Sequence, residues 1–231
     1  MEFTSSGRKQ VPANDAEKVR DYFERASDLF NSIYTGEKSA FGRLLDKLLR
    51  PDLKERFVLT LREIQHEKPQ SLIDIGVGPG QYLKAYVELG VPRITALDFS
   101  KPMLDLAENL VGEPPGGVQV SYVVADFMEY EPDQNYDISI AMGVFDYVAD
   151  PETFLLKMKN ISNRCVLASF PSISVWRTPI RKVRYAYKRC PVYFYNRARI
   201  ETLARKIGFK DFEITKIRGS GMDYFVRFDC D

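Results

Sequence analysis

The stretch "SLIDIGVGPGQYLKAYVELG", Ser71 to Gly90, decides the fold. Leu72, Ile73 and Ile75 leave its first five residues without a polar face, which suits a strand buried on both sides of a parallel sheet. Gly76, Gly78 and Gly80 then alternate with Val77 and Pro79. Glycine lets the backbone turn sharply and lets a ligand approach without a Cβ in the way. "QYLKAYVEL" follows with helical spacing and is closed by Gly90. Strand, glycine turn and helix in that order open the crevice at the strand carboxyl ends where open α/β sheets bind ligands. A tight turn with no ligand accounts for the same glycines, so the reading depends on what lies downstream.

Downstream the alternation continues. "RITALDF" (93–99), "VQVSYVVADF" (118–127), "YDISIAMGVF" (136–145) and "RCVLASF" (164–170) read as strands. "KPMLDLAENLVG" (101–112), "PETFLLKMKNI" (151–161) and "RARIETLARKIGF" (197–209) read as helices. Two closing strands, "KDFEITKIRG" (210–219) and "DYFVRFD" (223–229), are joined at Gly219-Ser220-Gly221, a hairpin-length turn that makes the last strand antiparallel. The expected fold over 70–231 is α/β and doubly wound, a seven-stranded mostly parallel sheet with an antiparallel last strand. Ahead of it, residues 1–14 read as a disordered leader and 15–69 as a helical lid. The lid's sections are "AEKVRDYFERASDLFNSIY", "AFGRLLDKLLR" and, after Pro51, "DLKERFVLTLREIQHE".

Composition narrows the function. The chain has 231 residues, 45% hydrophobic and 28% charged, as in soluble globular proteins. No apolar run reaches the roughly 18 residues of a membrane span. The N-terminal stretch lacks the apolar core of a signal peptide, so a cytoplasmic location is expected. Cys165, Cys190 and Cys230 have no CxxC spacing, and His66 is the single histidine. A single histidine argues against Ser–His–Asp chemistry and against a multi-histidine metal site, and no metal is expected. His66 itself reads as a surface residue.

Acids at strand ends strengthen the crevice reading. Asp98 ends the second strand 18 residues after Gly80, where a carboxylate can accept bonds from both hydroxyls of a ribose. Asp126-Phe127 ends the third, an acid and a ring where a purine can be bonded and stacked. Each acid alone also suits a strand-end cap.

"DIGVGPG", "ALDFSKPML", "ADF" and "YDISIAMGVFDY" together resemble the successive motifs of class I S-adenosylmethionine-dependent methyltransferases, over about residues 70–170. The resemblance implies S-adenosyl-L-methionine as cofactor. Gly76, Gly78 and Gly80 would approach its methionine part, with Asp74 near its amino group. Asp98 and Phe99 would lie at the ribose end of the second strand, and Met103 would pack on the adenine. Asp126 would bond the exocyclic amine beside Phe127, while Met142 and Gly143 would line the sulfonium. The sulfonium carries its own leaving group, so alignment and exclusion of water supply most of the acceleration. An absent triad is therefore compatible with an enzyme.

The lid and the acceptor side are less determined. "VRDYFERASDLFNSIY" resembles the opening helices of several small-molecule methyltransferases, in which Tyr22 and Tyr34 would reach the cofactor or close the acceptor pocket. "GVFDYVADP" places Phe145, Asp146 and Tyr147 where the family carries acceptor or base residues. Asp146 is a candidate base or a helix cap, and Tyr147 and Tyr34 are further catalytic candidates. The Asn/Asp-Pro-Pro-Tyr motif of amino-group methyltransferases is absent, which counts against nucleic-acid amines and glutamine.

Between the fifth strand and the last helix lies an aromatic insertion at about 171–196. From Pro171 to Ile200 there are eight Lys/Arg residues and no acid, so the rest of a +1 chain carries 1 − 8 = −7. This is a local field on a nearly neutral protein. Arg181, Arg184 and Lys188 share one side of a helical repeat, and Tyr193 follows. A solvated face, an anionic acceptor, a membrane surface and nucleic acid all satisfy the pattern, nucleic acid least. "ASFP", the opening helix and this segment resemble magnesium-protoporphyrin and ubiquinone-pathway O-methyltransferases. The expected partner is thus a small, acidic or aromatic acceptor methylated on oxygen, by a monomer or homodimer. The alternative is an RNA or protein methyltransferase docking through 175–199.

Overall fold

A computed structural model describes residues 51–172, 191–217 and 223–230. The leader, the first two helical sections of the lid and the Gly219-Ser220-Gly221 turn lie outside the described residues.

The chain opens with α1 (Pro51–Glu67) and then alternates: β1 (Ser71–Ile75), α2 (Gln81–Glu88), β2 (Arg93–Asp98), α3 (Lys101–Val111), β3 (Gln119–Val124), β4 (Tyr136–Ala141), α4 (Pro151–Asn160) and β5 (Ser162–Phe170). It closes with α5 (Arg197–Ile207), β6 (Phe212–Lys216) and β7 (Tyr224–Asp229). The sheet order is β3-β2-β1-β4-β5-β7-β6. β7 runs antiparallel to both β5 and β6, between which it is inserted. The remaining pairs are parallel. The antiparallel last strand expected from the hairpin spacing is present.

β1 explains the two-sided packing. All five of its residues are buried, and alternate side chains enter opposite layers. Ile73 and Ile75 join Phe154, Leu155, Met158, Ile200 and Leu203, from α4 and α5. Leu72 joins Ile64, Leu83, Tyr86 and Leu104, from α1, α2 and α3. Helices thus cover both faces, and strand order reverses between β1 and β4. That reversal leaves a crevice at the carboxyl ends of these two strands.

α1 is fastened to β7. Arg227 of β7 pairs with Glu63 and Glu67 of α1, each at 2.8 Å. Burial opposes the charge on Glu67, but the bonds from Arg227 outweigh it and hold the carboxyl below its usual range. Ile64 buries the apolar face of the same helix. About two turns toward its N-terminus, the helix presents Arg56 to Ser169 at the carboxyl end of β5.

Candidate cofactor site

The glycine turn is built by backbone bonds. Gly76 and Val77 donate to Leu97 O at 2.8 and 3.1 Å, tying the end of β1 to β2. All three glycines have positive φ, at 70°, 55° and 84°. Their surroundings separate their roles. A Cβ on Gly76 would lie 2.7 Å from Val144 Cγ2, and one on Gly80 would lie 2.7 Å from both Cα and Cβ of Ala107. Packing of the protein itself excludes side chains at both positions. A Cβ on Gly78 would enter open space, so this glycine keeps the crevice clear.

Asp98 stitches the turn to the second strand. It is 6% exposed; Oδ2 accepts from Gly78 N and Oδ1 from Ser100 N, each at 2.9 Å. Burial raises its carboxyl even against these backbone donors. Each oxygen keeps a second lone pair for a hydroxyl. Asp74 lies deeper, at 3% exposure, and its Oδ2 has no hydrogen-bond partner. Burial, with the charge of Asp98 added, pushes the Asp74 carboxyl up to about 8. An orphaned acid at the base of a crevice is a site for a cationic or donor group.

A raised carboxyl means that the folded chain holds a proton the unfolded chain has lost. Asp74 therefore costs stability as pH rises from near 4 toward 8. Asp74→Asn is expected to melt higher than the parent by on the order of 5 °C at pH 8, with a much smaller gap at pH 5. A gap independent of pH in thermal melts would contradict the assignment.

The remaining expected positions fall into three groups. Met103, 1% exposed, and half-buried Phe99 flank the end of β2. Met142, 9% exposed, and Gly143 directly follow β4, with Gly143 N donating to Ser169 Oγ at 2.8 Å. Asp126 Oδ1 caps its own loop by accepting from Met128 N at 2.8 Å. Two rings lie elsewhere than expected. Phe127 is 4% exposed and packs against Phe154, 4.7 Å between centroids, so its ring enters the core instead of lying beside a purine. Phe145 is fully buried among Phe170 (4.3 Å), Phe154 (5.4 Å) and Tyr195 (6.5 Å). Its expected place against the acceptor is corrected accordingly: the bend at Gly143 turns this ring into the layer beneath α4 and α5.

Asp146 is 8% exposed, and its carbonyl accepts from Tyr193 N at 2.8 Å. Tyr147 and Tyr193 are half-buried beside it. Tyr195 N donates to Pro171 O at 2.8 Å, and Ser172 pairs with Tyr195 in a short bridge. The described ends of the basic segment, Ser172 and Tyr193–Tyr195, thus meet at the carboxyl ends of β4 and β5. Tyr22, Tyr34, Arg181 and Arg184 lie outside the described residues.

Three residues join the site that sequence reasoning missed. Arg56 Nε donates to the Tyr82 hydroxyl at 3.0 Å, and Arg56 Nη1 donates to Ser169 Oγ at 3.1 Å. A Cβ on Gly143 would stand 3.4 Å from Nη1. Burial opposes the charge on Arg56; Tyr82 and, through space, Asp146 and Asp223 more than offset it, so the guanidinium stays protonated. At the opposite edge, a polar concavity is lined by Arg93, Gln119, Gln134 and Asn135. Among the described residues there is no cluster able to hold a metal ion, and no helix is long and apolar enough to cross a membrane.

A seven-stranded sheet of this order, with a glycine turn and an acid ending β2 at the switch point, is the architecture of class I S-adenosylmethionine-dependent methyltransferases. Residues 73–164 match the family model described as a methyltransferase domain. The magnesium protoporphyrin IX methyltransferase of Synechocystis PCC 6803, solved with bound SAH, superposes with a TM-score of 0.75 at 18% identity, over 94% of this chain and 100% of that one. A malonyl-[acyl-carrier protein] O-methyltransferase from Anoxybacillus flavithermus is 28% identical over 105 residues, 45% of this chain and 38% of that protein. An EEF1A lysine methyltransferase 2 from Danio rerio is 31% identical over 84 residues, 36% of each chain. The chain spans well under half the length of these two curated relatives. The chain thus shares the fold of class I S-adenosylmethionine-dependent methyltransferases, and its residues 73–164 match a methyltransferase domain.

The residues present fit the cofactor. Gly78 leaves open space, Asp98 retains acceptor capacity, and Asp74 Oδ2 awaits a donor.

Proposed function

We propose that this protein methylates a small-molecule acceptor, on an oxygen of an acidic or aromatic metabolite. When bound, the cofactor supplies an electrophilic methyl group on a cationic sulfur. The chain's part is to hold the ribose end at Asp98, keep the crevice clear at Gly78, and present the acceptor from the β4–β5 side. The relatives act, by their names, on different acceptors, so the choice rests on this chain's own residues.

The observation that carries the acceptor class is the anchoring of the basic segment. Its described ends are bonded at Asp146 and Pro171, beside the carboxyl ends of β4 and β5. The sequence between these ends carries Lys/Arg residues and no acid, which supports an anionic acceptor on that side. A guanidinium grips a carboxylate or phosphate through two parallel bonds. An ionised carboxylate acceptor is already a nucleophile at neutral pH, so no general base is required; for a hydroxyl acceptor, the carboxylate of Asp146 would take the proton.

The test is a panel of carboxylate-bearing and phenolic metabolites, read by release of S-adenosylhomocysteine. On the best substrate, replacing Arg181 and Arg184 together by Ala should raise KM roughly tenfold or more, as expected for lost charge-assisted bonds, with cofactor affinity unchanged. Unaltered acceptor kinetics would return the stretch to a solvated face. Activity on RNA or protein alone, with steep dependence on salt, would favour the macromolecular reading instead.

A further inference from the structure

The turn after β3 is tied down from two sides. Asp126 organises it from within: Oδ1 accepts from Met128 N at 2.8 Å, and its carbonyl accepts from Glu129 N and Tyr130 N, each at 3.0 Å. Ala125 N donates to Asp98 O at 3.1 Å, so the turn starts one residue from a tie to the end of β2. From α4, Lys157 reaches across to it. Nζ donates to Met128 O and to Glu131 Oε1, each at 3.0 Å, and stands 5.5 Å from the centre of the Phe127 ring. One helical turn earlier, Phe154 packs on the same ring at 4.7 Å. On the other side, the Tyr130 and Tyr136 hydroxyls share a bond at 2.9 Å, and Tyr136 donates to Thr95 Oγ1 of β2 at 3.0 Å.

Lysines on helix surfaces mostly stand in water, and Lys157 does not. Its side chain is 13% exposed, whereas that of Glu131, its acid partner, is 84% exposed. An ion pair with one member so open to water adds little. What the ammonium holds is the Met128 carbonyl and the ring of Phe127, the two residues directly after Asp126. The amide of that same Met128 is bonded to Asp126 Oδ1, which leaves Oδ2 with its lone pairs. We propose that Lys157 is a positioning residue for base recognition: it fixes the turn on which Asp126 offers Oδ2 to the exocyclic amine of the cofactor's adenine. The inference rests on the methyltransferase reading of the crevice. It ties the base end of that crevice to α4, the helix that follows Asp146 and Tyr147.

Calorimetric titration of the full chain with two ligands tests this. S-adenosylhomocysteine carries adenine; S-inosylhomocysteine differs at the base alone, with an oxygen in place of the exocyclic amine. The parent should prefer the adenine ligand by roughly tenfold or more, as a bond to a charged acceptor allows. Lys157→Met keeps the stem over Phe127 but not the ammonium. It should lose roughly fivefold or more on S-adenosylhomocysteine and less than about twofold on S-inosylhomocysteine. Lys157→Arg should restore most of the preference, and Glu131→Gln should bind both ligands as the parent does. Equal losses on both ligands, or an unchanged preference in Lys157→Met, would overturn the role of Lys157. So would Glu131→Gln reproducing the loss seen in Lys157→Met. If Lys157→Met does not fold, Lys157→Gln is read in its place by the same criteria. A parent chain that binds both ligands equally would overturn the part given to Asp126 and the proposal with it. One that binds neither would overturn the cofactor reading itself, a result distinct from any failure of the variants.

Discussion

Asp98→Ala should weaken S-adenosylmethionine binding at least tenfold, and nearer a hundredfold. The carboxylate is 6% exposed and already holds Gly78 N and Ser100 N at 2.9 Å. Each of its oxygens keeps a further lone pair, which suits a ribose hydroxyl. Charge-assisted hydrogen bonds of this kind contribute about 1.5–3 kcal/mol each, and tenfold in affinity is about 1.4 kcal/mol. The substitution also frees the Gly78 amide, so part of the loss comes through the turn. Asp98→Asn separates the two contributions, because it retains one acceptor oxygen for Gly78. It should recover most of the thermal stability but little of the affinity. Unchanged titration isotherms for the Ala variant would remove Asp98 from the site.

The second large effect concerns stability. In Gly80→Val, the new Cβ would meet both Cα and Cβ of Ala107 at 2.7 Å, and at φ 84° a β-branched residue is strained whatever the space. Ala107 is fully buried on α3, so it has nowhere to yield. Left-handed strain of about 1–2 kcal/mol adds to overpacking of about 1–3 kcal/mol. The sum, roughly 2–5 kcal/mol, corresponds to a fall in Tm on the order of 10 °C for a chain of this size. Gly78→Ala gives the opposite profile. Its Cβ enters open space, so the fold should lose only about 1 kcal/mol of backbone strain while cofactor affinity falls. Matched losses of stability in the two variants, read from denaturant titrations, would show that the glycines do not divide their work in this way.

Most of the architecture was legible because its cues are local. The run at Leu72–Ile75, the alternation that follows, and Gly90 and Gly208 closing helices α2 and α5 each state an element within a dozen residues. The glycine turn and Asp98 were legible for the same reason, since the turn's geometry is written in its own residues. The rings were not. Phe145 and Phe127 follow strand ends by only a few residues, and position alone cannot tell a ring facing the crevice from one turned under it. Partners 9 to 50 residues away, Phe154, Phe170 and Tyr195, decide this by offering apolar burial. The insertion of β7 between β5 and β6 is likewise a long-range pairing that hairpin spacing does not specify.

Arg56 was missed for a further reason. In "DLKERFVLTLREIQHE" it is one of several charges on an amphipathic helix, and such residues are solvated in most helices. Only the packing of α1 shows that this cation points to Tyr82 and Ser169 instead of water. The available signal was an arginine inside a helix adjoining the glycine-turn unit, and by itself it is too common to select.

Calorimetric titration of the full parent chain with S-adenosylmethionine tests the central claim most directly. One site per chain with a Kd of roughly 1–100 μM, accompanied by a rise in Tm at saturating ligand, is the predicted result. Absence of both heat and any melting shift at about 1 mM ligand, from a sample that melts cooperatively, would contradict it.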